Sequence, residues 1–403
     1  MATGSAGPAR GSAPGRHGSA VEQWSSTRQF YLDNLKVILI AAIIAIHGVL
    51  SYAGTLDVWL YTEVREVTLS PVAEAAMFVV VGPFAFFLIA LLFLVAGLLT
   101  RPSLERKGPG RFAKDRLLRL GVPFAVYVVL LQPPVVYALE HPLGVAPRSY
   151  WFEFLGEPAQ LDMGPLWFVG VLLIFSLVYA GWVGVRQHRP EGRGFPRVRA
   201  AHLLLLVAAV APATFLVRLV FPIGGEAGVQ GLNFWEWPTC IVAFSLGVVG
   251  ARQGWREALP DRLFRQARTV SLVGVAALGA FMAVGSALGV VDELTVRGGW
   301  AWATFVFITL ESALTVFGPV WLLGVAQRYI NRPLRWIWPA ARRSAYAAFM
   351  LQLLVLTGLA VAMRPVPVAA ELKALVVAVG GVAGSFALAW LLISRVPGVG
   401  RIL

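Results

Sequence analysis

Ten apolar stretches of about twenty residues each run through this sequence of 403 residues. A helix of about twenty apolar residues crosses the hydrocarbon core of a bilayer. Within that core the backbone must satisfy its own hydrogen bonds, which an α-helix does. We therefore predict an all-α, polytopic integral membrane helical bundle with about ten transmembrane helices, near residues 34–53, 75–99, 117–138, 165–185, 201–221, 233–251, 269–291, 300–327, 344–363 and 374–394.

The amino-acid composition supports a membrane protein and excludes several other classes of protein. Hydrophobic residues make up 58% of the chain and charged residues 14%, which excludes an ordinary soluble domain. The single cysteine, Cys240, excludes an intramolecular disulfide and is expected to be a small apolar packing residue. The sequence contains no HExxH, P-loop or GxSxG motif, so we expect no metal site, NTPase or serine hydrolase.

The basic residues are distributed among alternate loops and do not form a single patch. Of the 34 Lys and Arg residues, 28 lie in the two termini and in alternate loops, and the remaining loops hold six. The positive-inside rule then places both termini in the cytoplasm. The net charge of +13 is thus a topology signal, and we predict no binding of nucleic acid. The high content of Ala, Gly, Arg and Val is typical of a high-GC bacterial genome, which predicts a plasma (inner) membrane location.

The chain is predicted to have one membrane domain with short tails. Residues 1–27 are rich in Gly, Ala, Ser and Pro and are predicted to be a disordered cytoplasmic tail. Residues 28–395 form the transmembrane domain, and residues 396–403 a short cytoplasmic tail. The longest outer loop, about 139–164, is long enough to cover part of a cavity.

The first span carries two ionisable residues on one face. Lys36 and His47 are eleven residues apart, which in a helix places them on the same side and about 16 Å apart along the axis. Ionisable groups within a membrane span are costly and indicate function by default. The alternative is that Lys36 snorkels to lipid headgroups and His47 bonds a neighbouring helix.

A second candidate is the basic cluster before the third span. Arg116 and Arg119 are three residues apart and are expected to share a helix face. With Arg111 and Lys114 they would form a cationic site for phosphates, which guanidinium groups bind bidentately. The alternative is a positive-inside anchor that contacts anionic lipid.

A third candidate is Glu311, near the middle of the eighth span. A carboxylate at that depth must be protonated or paired. Its height is close to that of His47, so we expect Glu311 either to orient the imidazole or to be a neutral side chain bonded to a backbone carbonyl or a threonine. Arg218, near the outer end of its span, is expected to snorkel.

Five sequence segments occur in a fixed order over about 320 residues. They are FYLDNLKVILIAAIIAIH with Asp33, LFLVAGLLT at 92–100, the Arg116 and Arg119 pair, GPLWFVGVLL with Trp167, and SAYAAFMLQ at 344–352. As an ordered set they resemble the membrane acyltransferase 3 family, in the branch that includes glucan-succinylating proteins. The chain departs from the family pattern at Gln352, where the family has histidine, and at Phe349, where it has a second tyrosine.

The resemblance implies transfer of an acyl group, such as acetyl or succinyl, from cytoplasmic acyl-CoA to a hydroxyl of a carbohydrate or related acceptor. His47 would be the general base, with Glu311 as its catalytic partner. The predicted phosphate ligands for acyl-CoA are Lys36, Arg116 and Arg119, and the predicted substrate-binding residues are Asp33, Trp167, Tyr346 and Gln352. Two alternatives remain: a proton-coupled secondary transporter of a small polar substrate, and a related protein without activity.

Overall fold

The computed structural model describes Met1 and residues 29–54, 60–80, 82–140, 163–186, 196–225, 231–334 and 339–396. The predicted tail 1–27 and the loop around 139–164 lie almost entirely outside these ranges, as does most of the predicted tail 396–403. The predicted domain boundaries therefore stay predictions.

The described part of the chain contains ten long helices, and each is long and apolar enough to cross a membrane. They confirm the predicted all-α bundle. Numbered in chain order, their bounds are α1 Phe30–Leu50, α2 Gly82–Lys107, α3 Pro109–Leu139, α4 Trp167–Arg186, α5 Ala200–Val220, α6 Trp237–Arg252, α7 Asp261–Ala287, α8 Trp302–Tyr329, α9 Pro339–Met363 and α10 Ala370–Arg395.

Helices α2, α3 and α7 begin seven or eight residues from their predicted positions, and α3 does so at Pro109 instead of residue 117. The second apolar stretch divides into a short helix, Pro71–Val80, and α2, which starts at Gly82. Pro83 falls in the first turn of α2, where its missing N–H costs no hydrogen bond. Helix α7 starts eight residues earlier than predicted, at Asp261 after the N-cap Pro260. Its first turns are basic, and hydropathy alone does not count them as part of a span.

Helix α3 contains two π-helical turns, Leu117–Gly121 and Tyr127–Leu131. A π turn takes about one residue more than an α turn, so it rotates the side chains that follow relative to those before it. The first of these turns begins between Arg116 and Arg119. The expectation that these two side chains share one face assumed a regular α-helix, and the π turn changes their relative rotation. The two guanidinium groups still interact electrostatically with each other.

Glycines bring α2 and α6 into direct backbone contact. A Cβ atom on Gly97 would lie 2.2 Å from the carbonyl oxygen of Phe244, and a Cβ atom on Gly247 would lie 2.1 Å from that of Leu94. No side chain larger than hydrogen fits at either position. The glycine in the LFLVAGLLT segment therefore serves close helix packing.

Helix α1 is held against α10 in the same way. A Cβ atom on Gly48 would lie 2.7 Å from the Cα atom of Ala378. One turn further along α10, Gly381 approaches Leu356 of α9, and a Cβ atom there would lie 2.3 Å from the leucine side chain. The glycine-rich segment of α10 thus packs closely against both α1 and α9. His47 precedes Gly48, so this contact fixes the height of the histidine.

Side chains bond to loop carbonyls at the end of the bundle where α1 begins, which we call the Lys36 end. The Tyr31 hydroxyl donates to the carbonyl of Arg256 at 2.7 Å. The Asn34 amide donates to the carbonyls of Ile330 at 2.7 Å and Arg332 at 2.8 Å. These bonds tie the start of α1 to the chain that follows α6 and α8.

A buried ion pair closes the opposite end, which we call the His47 end. The Lys373 ammonium lies 2.6 Å from a carboxylate oxygen of Glu66, and the Lys373 side chain is 3% exposed. The hydroxyl of Tyr61 donates to the other Glu66 oxygen at 2.8 Å. The segment after α1 is thereby attached to the start of α10. We call Tyr61, Glu66 and Lys373 the outer clasp.

The outer clasp is expected to make the protein sensitive to acid. Burial raises the pKa of Glu66, but hydrogen bonds from Lys373 and Tyr61 outweigh it and hold the pKa below its usual value. A carboxylate with a lowered pKa stabilises the fold above its unfolded pKa, and this contribution is lost as pH falls through the folded pKa. Glu66→Gln is expected to lower stability at pH 7 by about 1.5–3 kcal/mol and to flatten the decline below about pH 4.

Thermal unfolding in detergent at several pH values measures this effect. The matched control is Glu105→Gln, because Glu105 pairs with Arg101 but is 56% exposed, so its removal should change stability little. Parallel pH curves for the wild type and Glu66→Gln would show that the outer clasp does not carry the acid sensitivity.

Candidate functional site

His47 and Gln352 meet where α1 and α9 pack together. The Nδ1 atom of His47 lies 2.9 Å from the Oε1 atom of Gln352. Gln352 is fully buried, and His47 is partly buried. The imidazole is therefore held in place by a buried neutral amide.

Aromatic side chains of α4 and α9 form a wall beside Gln352. Phe349 lies one turn before Gln352, and its ring is 5.0 Å from that of Phe168 in an edge-to-face contact. The adjacent Trp167 is 8% exposed and packs with Cys240, which confirms the packing role predicted for that cysteine. The motif of α9 thus contacts the motif of α1 through Gln352 and that of α4 through Phe349.

Tyr346 is a further predicted site residue on α9. It precedes Gln352 by six residues on α9, or about 9 Å along the helix, towards the Lys36 end. Its hydroxyl is buried and has no hydrogen-bond partner among the residues that the structure describes. An unpaired buried hydroxyl is costly, and a bound ligand with a polar atom at that depth would satisfy it.

Lys36 is an exposed residue in the second turn of α1. Asp33, one turn earlier, interacts electrostatically with it, so Asp33 belongs to the Lys36 end and not to the surroundings of His47. Between Lys36 and His47 the same face of α1 carries Ile40 and Ile43, which are 6% and 9% exposed. This face of α1 is therefore apolar and buried between the two ends.

The arginines of α3 have different surroundings from each other. The Arg116 guanidinium lies 4.9 Å from the ring centre of Phe112 and is half-buried. Arg119 is exposed, and its Nε atom lies 3.0 Å from the carboxylate of Asp115. Asp115 also binds Lys107 at 2.8 Å. One carboxylate thus neutralises part of the positive charge that the sequence assigned to a phosphate site.

Glu311 does not pair with His47, and this expectation was wrong. Its two carboxylate oxygens accept hydrogen bonds from the two terminal nitrogens of Arg218, at 2.6 and 2.7 Å. The two side chains are 6% and 1% exposed. Arg218 therefore does not snorkel, as its position near the end of α5 had suggested. A bidentate pair is the geometry in which a buried carboxylate and guanidinium compensate each other best.

A third buried ionisable group, Glu236, was not identified from the sequence. It lies at the N-cap of α6, is 6% exposed, and interacts electrostatically with Glu311 and Arg218. Its Oε2 atom has no hydrogen-bond partner among the described residues. The signal in the sequence was an acidic residue at the edge of a span, which is also typical of an ordinary solvated boundary. We call Arg218, Glu236 and Glu311 the buried charge cluster.

The arrangement around His47 suits proton transfer more than metal chemistry. An imidazole is a group that can take the proton of a substrate hydroxyl. In the part of the chain that the structure describes, no three His, Cys, Asp or Glu side chains group closely enough to hold a metal ion. Ammonium and guanidinium groups that would bind an anionic co-substrate lie towards the Lys36 end.

Comparison with known proteins supplies an independent observation. A family profile described as an acyltransferase domain matches residues 29–394, almost the whole chain. No curated protein matches the chain. No solved structure matches it either. The match includes every residue considered above.

Proposed function

Because the chain belongs to the acyltransferase 3 family, we propose that this membrane acyltransferase moves an acyl group from cytoplasmic acyl-CoA to a hydroxyl of a carbohydrate or related acceptor. The observation that carries the proposal is the contact of the His47 imidazole with Gln352 inside the bundle. Multi-pass membrane insertion follows from the ten apolar helices. A plasma-membrane location with both termini in the cytoplasm is part of the proposal and rests on the basic loops.

Lys36 is proposed to receive the phosphates of acyl-CoA. It lies about 16 Å from His47 along α1, which is close to the reach of an extended pantetheine arm. Lys36 is an exposed residue at the Lys36 end, where the basic loops are concentrated. The arm would pass over Ile40 and Ile43, and the hydroxyl of Tyr346, which has no partner among the described residues, lies at an intermediate height to bond one of its amides. Since the two isoleucines are buried, donor binding requires the helices around them to separate slightly.

His47 is proposed to act as general base in a direct transfer. A ring nitrogen of His47 takes the proton of the acceptor hydroxyl as the oxygen attacks the thioester carbonyl carbon. The C–O bond forms, the C–S bond breaks, and the sulfur leaves as a thiolate. The imidazolium then gives its proton to that thiolate, so the products are the ester and CoA. The aromatic wall of Trp167, Phe168 and Phe349 is proposed to exclude water from the thioester.

A second candidate function, proton-coupled transport, is favoured by the buried charge cluster. Ionisable groups inside a membrane bundle commonly form proton relays in transporters. The cluster lies on α5, α6 and α8, and Glu311 is bonded to Arg218 rather than to His47. Uptake of a labelled substrate into vesicles, absent for an acyltransferase, would support transport.

Acetyl-CoA binding to the purified full-length protein tests the proposed donor. Calorimetry is expected to show binding that Lys36→Ala weakens by about 10- to 100-fold, because a hydrogen bond to a charged group is worth about 1.5–3 kcal/mol. The matched control is Arg265→Ala, which removes an exposed cation of α7. Absence of acetyl-CoA binding by the wild type would reject the donor class.

Steady-state kinetics of arginine variants in α3 distinguish binding of the acyl donor from a role in membrane topology alone. If they contact the donor phosphates, Arg116→Ala and Arg119→Ala raise the KM for acyl-CoA with little change in kcat. We expect the larger effect at Arg116, because Asp115 already engages Arg119. An unchanged KM in both variants would assign these residues to membrane topology alone.

A further inference from the structure

The buried charge cluster contains two acidic side chains and one basic side chain. Arg218 of α5 donates to both carboxylate oxygens of Glu311 of α8, so these two charges compensate each other. Glu236 interacts electrostatically with both, but its Oε2 atom has no hydrogen-bond partner among the described residues. If Glu236 were ionised, the cluster would therefore hold a second anion without a cation of its own.

Close packing keeps water away from this cluster. Arg218 and Glu236 are both almost fully buried. Gly298, just before α8, lies directly on Arg218, since a Cβ atom on Gly298 would be 2.9 Å from the carbonyl oxygen of Arg218. The ring of Trp235 lies 5.3 Å from the guanidinium carbon. Screening by solvent is weak in such a place, so an uncompensated negative charge is costly.

The start of α6 does not remove this cost. Backbone N–H groups at the start of a helix attract an anion. Glu236 occupies the N-cap position of α6, but its side chain makes no capping hydrogen bond. The remaining attraction is smaller than the cost of burying a carboxylate that has no partner. A proton on the carboxylate removes the charge itself.

We propose that Glu236 is a proton-binding site, a neutral carboxylic acid that keeps its proton at neutral pH while Arg218 is bound to Glu311. The proton comes from water and returns to water when Glu236 ionises, and no other bond forms or breaks. This inference goes beyond the proposed function, because neither His47 nor the residues assigned to the acyl donor take part in it.

The other titratable groups around α6 do not supply the missing charge. Cys240 follows Glu236 by one turn and interacts electrostatically with it, but a thiol among apolar side chains stays neutral. Arg297, before α8, approaches the loop after α5 instead. Helices α2 and α4 also pack against α6, and their first charged residues, Arg101 and Arg186, lie at their far ends. The proton on Glu236 is thus controlled by the buried charge cluster itself.

Infrared spectroscopy of the purified full-length protein, in a detergent without ester groups, detects this proton directly. The C=O stretch of a protonated carboxyl lies above the amide bands of the protein. We compare the wild type with Glu236→Gln at neutral pH. The wild type is expected to show a protonated carboxyl band that Glu236→Gln lacks and that shifts when H₂O is replaced by D₂O. Identical spectra in the carboxyl region would overturn the inference.

Glu311→Gln tests whether the pairing of Arg218 holds the proton on Glu236. This substitution removes the charge that engages Arg218, so Arg218 is expected to pair with Glu236, which then ionises. The band should disappear although Glu236 itself is unchanged. The matched control is Glu105→Gln, an exposed acid paired with Arg101, which should leave the band in place. A band that persisted in Glu311→Gln would reject the proposed balance of charge.

Thermal unfolding against pH provides a second measurement. A carboxyl that keeps its proton in the fold and loses it in the unfolded chain releases this proton on unfolding, so stability decreases as pH rises. Between about pH 6 and pH 9 the wild-type Tm is expected to fall more than that of Glu236→Gln, by about 2–4 °C for each pH unit. Glu105→Gln should keep the wild-type slope.

Two outcomes of this second measurement would contradict the inference. Glutamine has the shape of a protonated glutamic acid, so Glu236→Gln is expected to fold and to be at least as stable as the wild type at neutral pH. A variant that failed to fold would show that the carboxylate is needed as an anion. Parallel pH curves for the wild type and Glu236→Gln would show the same proton count in both. Neither readout requires acyl transfer, so the inference and the proposed function fail separately.

Discussion

His47→Gln is expected to lower kcat for acyl transfer by about 10²- to 10⁴-fold, the usual contribution of a general base. Glutamine fills similar space and can still hydrogen-bond with Gln352, but it cannot take the proton of the acceptor hydroxyl. The KM for acyl-CoA should change little, because the donor phosphates are assigned to the Lys36 end. The measurement is the initial rate of ester formation by purified protein in detergent or lipid nanodiscs.

The control for this substitution is His202→Gln. His202 lies in the first turn of α5, where its Nδ1 atom accepts from the backbone N–H of Arg199 at 3.0 Å. It is remote from Gln352 in the chain and serves the helix end, so its replacement should leave turnover intact. If His47→Gln retained more than about a tenth of the wild-type rate, another group would have to be the base.

Arg218→Met is expected to destabilise the protein by about 3–5 kcal/mol, the cost of leaving a buried charge without its partner. It leaves Glu311 and Glu236 close together with no cation, and both are almost fully buried. Glu311→Gln should cost less, because Arg218 can then pair with the free oxygen of Glu236. Thermal or denaturant unfolding in detergent gives the comparison.

The double variant Arg218→Met with Glu311→Gln distinguishes the effect of an unpaired charge on stability from the effect of lost packing. Replacing both members of a buried pair is often nearly neutral, so the double variant should be more stable than Arg218→Met alone. The surface pair Arg101 and Glu105 is the matched control and should contribute at most about 0.5 kcal/mol. If the two single substitutions each lowered stability by the same amount, and the double variant by their sum, the two side chains would not compensate each other's charge.

Local features of the sequence were sufficient to predict the fold class. Ten apolar stretches predicted ten spans, and all ten are present, because membrane insertion depends on length and hydropathy, which are properties of one segment at a time. The differences at α2 and α7 arose where a proline or a basic turn breaks the relation between hydropathy and helix boundaries. The ordered motifs, which include Lys36 and His47, predicted the family, and the family profile confirms it.

The partners of the charged and polar side chains were decided by the tertiary structure alone. Counting residues along a span gives the height of a side chain, but not the neighbouring helix that it faces. Glu311 and His47 were therefore expected to meet on grounds of height, whereas Glu311 bonds Arg218 and His47 bonds Gln352. The π turn that separates Arg116 from Arg119 likewise has no signature in residue spacing.

The sequence by itself thus determined what crosses the membrane and which residues are costly there, because both follow from the transfer of individual groups out of water. Only the packed bundle decided how those costs are compensated. Compensation needs two groups within hydrogen-bond distance, and glycine contacts such as Gly48 with Ala378 set the separations that allow it. The pairing of His47 with Gln352, on which the proposed chemistry depends, is a property of that packing.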